Sequence, residues 1–260
     1  MDTNLPTLKY RTYVRSQNTE WITFIHGAGG SSTIWHKQIK FFKKDYNLLL
    51  IDLRGHGMSN ELEIGSDFKY HMIFEEIIEV LNYLKIHKSN FMGVSFGSVI
   101  IPHLHQRYPD RVDKMILAGA ITGFDARTQF LLNSVHVVKF LLSNILLYKL
   151  FAWIIMPKSN HSYSRKLFVN EAKKIKNRAF RKWLSLLPEI KISIDQLVDV
   201  HFKEKTLFIS GKEDYLFIKK IEQFVKDKPN LSFVKVNDSG HIINIDNHET
   251  FNRLVFDFIQ

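Results

Sequence analysis

Residues 93–97 read GVSFG, a G-x-S-x-G pentapeptide between a predicted strand, Asn90 to Val94, and a predicted helix, Phe96 to Tyr108. Only small residues two positions on either side of Ser95 permit so tight a turn. The turn lifts the serine hydroxyl clear of the sheet, and the N-terminus of the following helix favours developing negative charge. The pentapeptide also arises by chance, so the alternative is an ordinary glycine-rich turn. The strand–turn–helix context favours a nucleophile at Ser95.

Short apolar runs alternate with helical patterns along the rest of the chain. Predicted strands cover Leu8 to Arg15, Trp21 to His26, Asn47 to Asp52, Asn90 to Val94, Val112 to Ala118, Thr206 to Ser210 and Leu231 to Val236; predicted helices cover Ile34 to Lys44, Asp67 to Ile86, Phe96 to Tyr108, Leu216 to Lys226 and Glu249 to Ile259. This alternation predicts an α/β fold, with a mostly parallel central sheet of about seven strands and helices on both faces. Ligands of such sheets bind at the carboxyl ends of the strands.

A glycine-rich loop, HGAGG at residues 26–30, begins at the end of the predicted strand Trp21 to His26. The tetrahedral intermediate of acyl transfer needs preorganised N–H donors aimed at its oxyanion. A glycine-rich loop brings in one donor without side-chain obstruction, and Phe96, which follows the serine, supplies the other. A phosphate-binding loop is the alternative, but neither a G-x-G-x-x-G spacing nor a following Lys-Ser or Lys-Thr pair accompanies the motif.

A candidate base and a candidate acid follow two later strands. The sequence GKED at residues 211–214 closes the strand Thr206 to Ser210, and SGH at residues 239–241 follows the next strand. A serine hydroxyl needs a base to take its proton. A single Asp or His in a loop is more often a solvated residue, but here three roles fall on three strand ends in the order Ser, Asp, His. We therefore interpret Ser95 as nucleophile, His241 as general base and Asp214 as the acid that orients it.

Together these motifs resemble the α/β-hydrolase superfamily from about Leu8 to the C-terminus. The matching segments are the HGAGG loop, DLRGHGMS at residues 52–59, the GVSFG turn, the GKED turn and the SGH turn. The resemblance implies an α/β-hydrolase fold whose oxyanion hole consists of the backbone N–H groups of Ala28 and Phe96. It also implies that residues 52–59 form a structural turn, with substrate contact by His56 as the less favoured alternative.

The chain departs from the family pattern at three points. The N-terminal hairpin is short, which is why we expect about seven strands rather than eight. Ser98 replaces a glycine that commonly follows the turn and is still small enough for packing of the helix on the sheet. Some relatives carry the acid after an earlier strand, which makes Asp125 an alternative to Asp214, and Glu213 is a neighbouring alternative.

The composition of the 260-residue chain indicates one core domain with an insertion. We predict that residues 1–120 and 206–260 form the core and that residues 121–205 form a helical cap. The predicted cap carries 15 Lys and Arg against 6 Asp and Glu, whereas the rest of the chain carries 21 against 20. Nearly all of the net charge of +10 therefore belongs to the predicted cap.

The candidates for an acyl pocket are apolar residues in the first half of the predicted cap and two residues in or shortly after the HGAGG loop. The candidate substrate-binding residues are Gly27, Trp35, Phe130, Phe140 and Trp153. A basic surface beside an apolar one also suits peripheral binding to anionic lipid. The simpler interpretation is a helix packed on the core with a solvated basic face. Nucleic-acid binding is not expected, because no recognition motif accompanies the charge.

The predicted reaction is hydrolysis of a small-molecule carboxylic ester or thioester with an apolar acyl group, through an acyl-enzyme on Ser95. The same three side chains also support cleavage of amides, lactones or carbon–carbon bonds, or cofactor-free perhydrolysis. A serine at the turn argues against dehalogenases and epoxide hydrolases, which resemble this fold but use an aspartate there. A hydrolase-like ligand sensor with slow turnover is an alternative from a different class.

The sequence also excludes cysteine-based sites and disfavours secretion and a membrane span. The chain contains no cysteine, which excludes disulfides, thiolate catalysis and cysteine-based metal sites. We expect no metal and no organic cofactor. The N-terminus lacks a basic segment followed by an apolar one, and the most apolar stretch, about Phe130 to Met156, is interrupted by Lys139 and Lys149. We therefore expect a cytoplasmic protein.

Overall fold

The computed structural model describes residues 5–138, 142–200 and 202–260. Within them the strands are β1 (Tyr10–Tyr13), β2 (Trp21–Ile25), β3 (Asn47–Ile51), β4 (Ser89–Val94), β5 (Val112–Ala118), β6 (Thr206–Gly211) and β7 (Leu231–Val236). All residues of β3 and β4 are buried. Continuous burial is expected for parallel strands that are covered on both faces, and it explains why these segments lack polar alternation.

The helices of the described residues are α1 (His36–Phe42), α2 (Met72–Tyr83), α3 (Phe96–Arg107), α4 (Ala126–Val138), α5 (Asn144–Ile155), α6 (Ser162–Ala172), α7 (Asn177–Ser185), α8 (Leu187–Gln196), α9 (Ile218–Val225), α10 (Ile243–Asp246) and α11 (His248–Ile259). Helix α11 shows how the sequence determines where a helix begins and which side of it is buried. The Asn247 side chain accepts a hydrogen bond from the N–H of Thr250 and caps the helix, and Phe251, Val255 and Ile259 form its buried stripe.

The seven strands lie in the order β1-β3-β2-β4-β5-β6-β7. Strand β1 pairs antiparallel with β3, with Tyr10 opposite Ile51, and all other neighbouring strands are parallel. The predicted fold class and strand number are therefore confirmed. Because parallel strands share one carboxyl edge, the ends of β2, β4, β6 and β7 face the same side of the molecule.

Amphipathic helices cover both faces of the sheet. One face packs against α2, α3 and α9, through side chains such as Ile77 and Phe224. The other face packs against α1 and α11, through side chains such as Phe42 and Phe251. This double layer fixes the sheet, so that the loops at its carboxyl edge are held on a rigid support.

The segment between β5 and β6 contains α4 to α8 in the described residues. Helices α7 and α8 join the main core, since Ala179, Ile190 and Ile194 belong to the same buried cluster as the sheet. Helices α5 and α6 form a smaller cluster with Phe217 and Ile242. That residues 121–205 act as a cap over the site stays a prediction, but this segment packs directly on the elements around the carboxyl edge.

None of the described helices is long and apolar enough to cross a bilayer.

Candidate active site

Ser95 lies at a sharp turn between β4 and α3. Its backbone has φ 53° and ψ −116°, a conformation that is costly for a residue with a side chain and is often found at functional sites. The turn is tight enough that a methyl group on Gly97 would lie 2.3 Å from the backbone oxygen of Ile25. A methyl group on Gly93 would lie 2.6 Å from the carbonyl carbon of Gly97. The glycines of the G-x-S-x-G motif are therefore required by the close approach of three backbone segments.

The hydroxyl of Ser95 meets the imidazole of His241. The distance from Ser95 Oγ to His241 Nε2 is 2.9 Å, and the distance from His241 Nδ1 to Asp214 Oδ2 is also 2.9 Å. The Ser210 hydroxyl donates a further hydrogen bond to Asp214 Oδ2, at 3.1 Å. With the proton on Nδ1 held by the carboxylate, Nε2 accepts the proton of the serine. Three residues far apart in the chain therefore form a continuous proton-transfer path.

The turns that carry the acid and the base touch each other. The N–H of Glu213 donates to the carbonyl of Ser239 at 2.9 Å, and a methyl group on Gly211 would lie only 2.0 Å from that same oxygen. A methyl group on Gly119, whose φ is +48°, would lie 2.3 Å from the carbonyl oxygen of His241. The absence of side chains at Gly119 and Gly211 brings the ends of β5 and β6 against the loop that follows β7.

The HGAGG loop lies beside the nucleophile. The N–H of Gly30 donates to the carbonyl of Gly27 at 3.0 Å, which closes the loop into a turn. A methyl group on Gly27 would lie 3.1 Å from Ser95 Cβ and 3.7 Å from its hydroxyl oxygen. Phe96 is the first residue of α3, so its N–H has no acceptor within the helix. Neither this N–H nor that of Ala28 has an acceptor in the described part of the chain, so both are available to an oxyanion.

Two buried histidines hold this loop in place. The N–H of Gly29 donates to His56 Nε2 at 3.1 Å, and the N–H of Leu53 donates to His26 Nε2 at 3.0 Å. Each imidazole therefore accepts a hydrogen bond at an unprotonated Nε2 and is neutral. Burial, with a smaller effect of the neighbouring His26, lowers the pKa of His56 to about 3. His56 thus contacts the loop rather than lying free for substrate, which agrees with the structural role expected for the 52–59 segment.

The candidate substrate-binding residues lie in different environments. Gly27 adjoins Ser95, as described above. Trp35 is fully buried in the same core cluster as Phe24, with its ring 5.2 Å from that of Phe24, and its place in an acyl pocket stays a prediction. The side chains of Phe130 and Trp153 are exposed, 71% and 57% respectively. Phe140 lies outside the described residues.

The two alternative acids are engaged elsewhere. The Asp125 carboxylate accepts a hydrogen bond from the N–H of Thr128 at 2.8 Å and caps α4. The Glu213 carboxylate bonds Lys158, Asn160 and His161. These hydrogen bonds hold the pKa of Glu213 down, at about 2, against the opposing effect of its burial. Asp214 is therefore the carboxylate that contacts His241.

Aromatic side chains that the sequence did not single out surround the site. The ring of Phe217 lies 5.3 Å from that of His241, and the ring of Trp183 lies 5.5 Å from that of Phe96. Tyr148 packs so close to Gly29 that a methyl group there would lie 2.7 Å from its ring. Tyr148 and Trp183 come from α5 and α7, more than 50 residues from their partners in sequence, and no local pattern marks them.

His161, at the end of the 3₁₀ turn Ser159–His161 that precedes α6, packs behind both the acid and the base. It is fully buried, and its Nε2 lies 2.8 Å from Glu213 Oε2. A methyl group on Gly240 would lie 2.7 Å from His161 Cε1, so the absence of a side chain at Gly240 makes room for the imidazole. His161 thus contacts the neighbour of Asp214 and the neighbour of His241.

No group of three or more His, Asp or Glu side chains suited to a metal ion occurs in the described residues.

Comparison with known proteins places the chain in a family. Residues 20–248 match the family described as the alpha/beta hydrolase fold. Protein ABHD8 of Bos taurus is 24% identical over 242 residues, covering 91% of this chain and 55% of that protein, so the chain spans about half the length of such relatives. The 3-oxoadipate enol-lactonase 2 of Acinetobacter baylyi is 27% identical over 128 residues, 47% of each chain. The crystal structure of the enol-lactonase from Burkholderia xenovorans LB400 superimposes with a TM-score of 0.82 at 20% identity, covering 97% of this chain and 96% of that chain.

Proposed function

Because the chain belongs to the α/β-hydrolase family, we propose that it is a serine hydrolase that cleaves a carboxylic ester or thioester. The observation that carries this proposal is the continuous path from Ser95 Oγ through His241 to Asp214, with both distances at 2.9 Å. A nucleophile, a base and an orienting carboxylate in contact are what acyl transfer through a serine requires.

In the first half of the reaction Ser95 Oγ attacks the carbonyl carbon while its proton passes to His241 Nε2. The resulting oxyanion accepts hydrogen bonds from the N–H groups of Ala28 and Phe96, which are fixed before the reaction begins. Collapse of the tetrahedral intermediate breaks the bond to the alcohol or thiol, which leaves with the proton from His241. The acyl group remains on Ser95.

In the second half a water molecule gives a proton to His241 and attacks the acyl-enzyme. Collapse of the second intermediate releases the carboxylic acid and returns the proton to Ser95. Asp214 stays ionised throughout and stabilises the imidazolium that forms in each half. The steps of this proposed reaction use neither a metal ion nor an organic cofactor.

The surroundings of the site favour an apolar acyl group. Phe217, Tyr148, Phe96 and Trp183 lie around the catalytic residues, and aromatic side chains of this kind line most small-molecule pockets. Two of the similar proteins described above are named as enol-lactonases. A lactone is a cyclic ester, so its carbonyl presents the same electrophile as the proposed substrate.

Labelling with a fluorophosphonate probe, followed by turnover of p-nitrophenyl esters of increasing chain length, tests the proposal. We expect Ser95→Ala to abolish labelling and to lower turnover by several powers of ten, on the order of 10³ to 10⁶. Ser66→Ala, at an exposed serine, is the matched control and should keep both properties. Retained turnover in Ser95→Ala would refute the assignment, and strong labelling of the native protein without turnover of any ester would favour a ligand sensor.

A further inference from the structure

Helix α5 is apolar on its outer side as well as its inner side. Ala152 and Ile155 point inward, into the cluster that packs on Phe217 and Ile242. The opposite side presents exposed side chains from Leu146, Leu150 and Trp153, each between 45% and 57% exposed. Residues 146, 150 and 153 follow the i, i+4, i+7 spacing of one helical stripe. Monomeric proteins rarely expose a continuous apolar stripe of this kind unless something binds to it.

The charge around this stripe has a single sign. Residues 126–170 contain six Lys and Arg and no Asp or Glu. Lys149 is on the stripe itself, at i+3 from Leu146, and is exposed. No acidic side chain pairs with Lys149 in the described part of the chain. The surface therefore combines apolar side chains with the positive charge of Lys149, which is unpaired among the described residues.

Arg165, on α6, is held over the outermost aromatic ring. Its guanidinium carbon lies 3.8 Å from the centre of the Trp153 ring. The same guanidinium donates to the carbonyls of Met156 and Lys158, which fixes its position. Tryptophan prefers the boundary between the acyl chains and headgroups of a bilayer, and an arginine beside it reaches the phosphates while its stem stays in apolar surroundings.

We infer that this surface, which we call the α5 face, docks on a membrane that carries acidic phospholipids. The α5 face consists of Leu146, Lys149, Leu150, Trp153 and Arg165. A rigid apolar stripe with basic side chains on it matches both parts of such a surface, the acyl chains and the anionic headgroups. The stripe is one helix long and lies on the outside, so the protein binds peripherally.

The α5 face is close to the candidate active site through the same helix. Tyr148, on the inner side of α5, contacts Gly29 of the HGAGG loop. Docking of the α5 face therefore places that loop within one helix diameter, about 10 Å, of the headgroup region. The inference concerns binding alone and does not depend on the proposed reaction.

Co-sedimentation with vesicles tests the inference without any measurement of turnover. We expect binding to vesicles of phosphatidylcholine mixed with phosphatidylserine, weaker binding to phosphatidylcholine alone, and loss of binding at high salt. Lys149→Glu should weaken binding to the acidic vesicles by about fivefold or more. Lys40→Glu, which changes the net charge equally at an exposed position on α1, is the control and should have a much smaller effect.

A second pair of variants tests the apolar part of the α5 face. Leu150→Ser should weaken binding to both kinds of vesicle, whereas Ile192→Ser, at a somewhat more exposed position on α8, should not. Equal binding to acidic and neutral vesicles, or equal effects of Lys149→Glu and Lys40→Glu, would overturn the inference. Retention on an oligonucleotide without any vesicle binding would also overturn it and would assign the charge to a nucleic-acid partner.

Discussion

Substitution of Gly97 by alanine places a methyl group 2.3 Å from the backbone oxygen of Ile25. Real contacts of this kind do not fall below 3.0 Å, so α3 and β2 must separate by about 0.7 Å. The methyl carbon is bonded directly to the backbone of α3, and the oxygen belongs to the backbone of β2. Both segments are buried, so no side-chain rotation relieves the contact. The movement carries the N–H of Phe96 away from the HGAGG loop. A misplacement of about 1 Å at a reacting centre costs roughly 10²-fold in rate, and overpacking costs about 1–3 kcal/mol of stability.

The assay is the ratio kcat/KM on the best ester of the chain-length panel, measured with the unfolding midpoint in urea. Gly97→Ala should lower kcat/KM by about 10²-fold while circular dichroism shows a folded protein. Gly65→Ala is the matched control, because its methyl group meets only the far end of the exposed Asp67 side chain, which can rotate away. Native kcat/KM in Gly97→Ala would refute the argument that the spacing of α3 and β2 sets the position of the oxyanion donor.

Two further predictions concern the acid and the buried histidines. Asp214→Asn keeps the shape of the side chain but lets His241 adopt the wrong tautomer, so kcat should fall by about 10⁴-fold with little change in KM; a fall of less than tenfold would point to another acid. Below pH 6.5 the unfolded chain protonates His56, whereas the folded chain, in which its pKa is about 3, does not. Stability should therefore be lost as the pH falls from 6.5 towards 3, by up to about 1.4 kcal/mol per pH unit from this group. Urea unfolding at pH 7 and pH 5 should show a smaller loss in His56→Gln, and equal losses in both proteins would contradict the shift.

The sheet and the three residues of the proton-transfer path could be predicted because their signals are local. Apolar runs such as residues 47–51 have no polar alternation, which only strands covered on both faces permit. Ser95, Asp214 and His241 each follow a strand directly, and parallel strands bring their carboxyl ends to one edge. The turns that follow these strands are short, so the place of each residue in the sequence determines where it lies in the fold.

The surroundings of the site could not be predicted, because they depend on contacts between distant segments. The packing of Trp35 on Phe24, for example, joins it to strand β2, and the local sequence around Trp35 does not show this contact. The segment Asn144–Ile155 is apolar nearly all round, so its sequence did not show that Tyr148 points inward and Trp153 outward. Trp183 lies in the basic half of the predicted cap, where the surrounding charge gives no sign of its contact with Phe96.

The contact of His161 with both the Glu213 and Gly240 turns limits how far residues 121–205 can vary independently of the sheet. A chimera that exchanged this segment for one without a histidine at the position of His161 would keep Ser95, Asp214 and His241 yet remove the imidazole packed behind two of them. Residues 121–205 therefore cannot be exchanged without regard to the turns that carry Asp214 and His241. Any substitution in residues 121–205 that changes substrate preference must also remain compatible with the GKED and SGH turns.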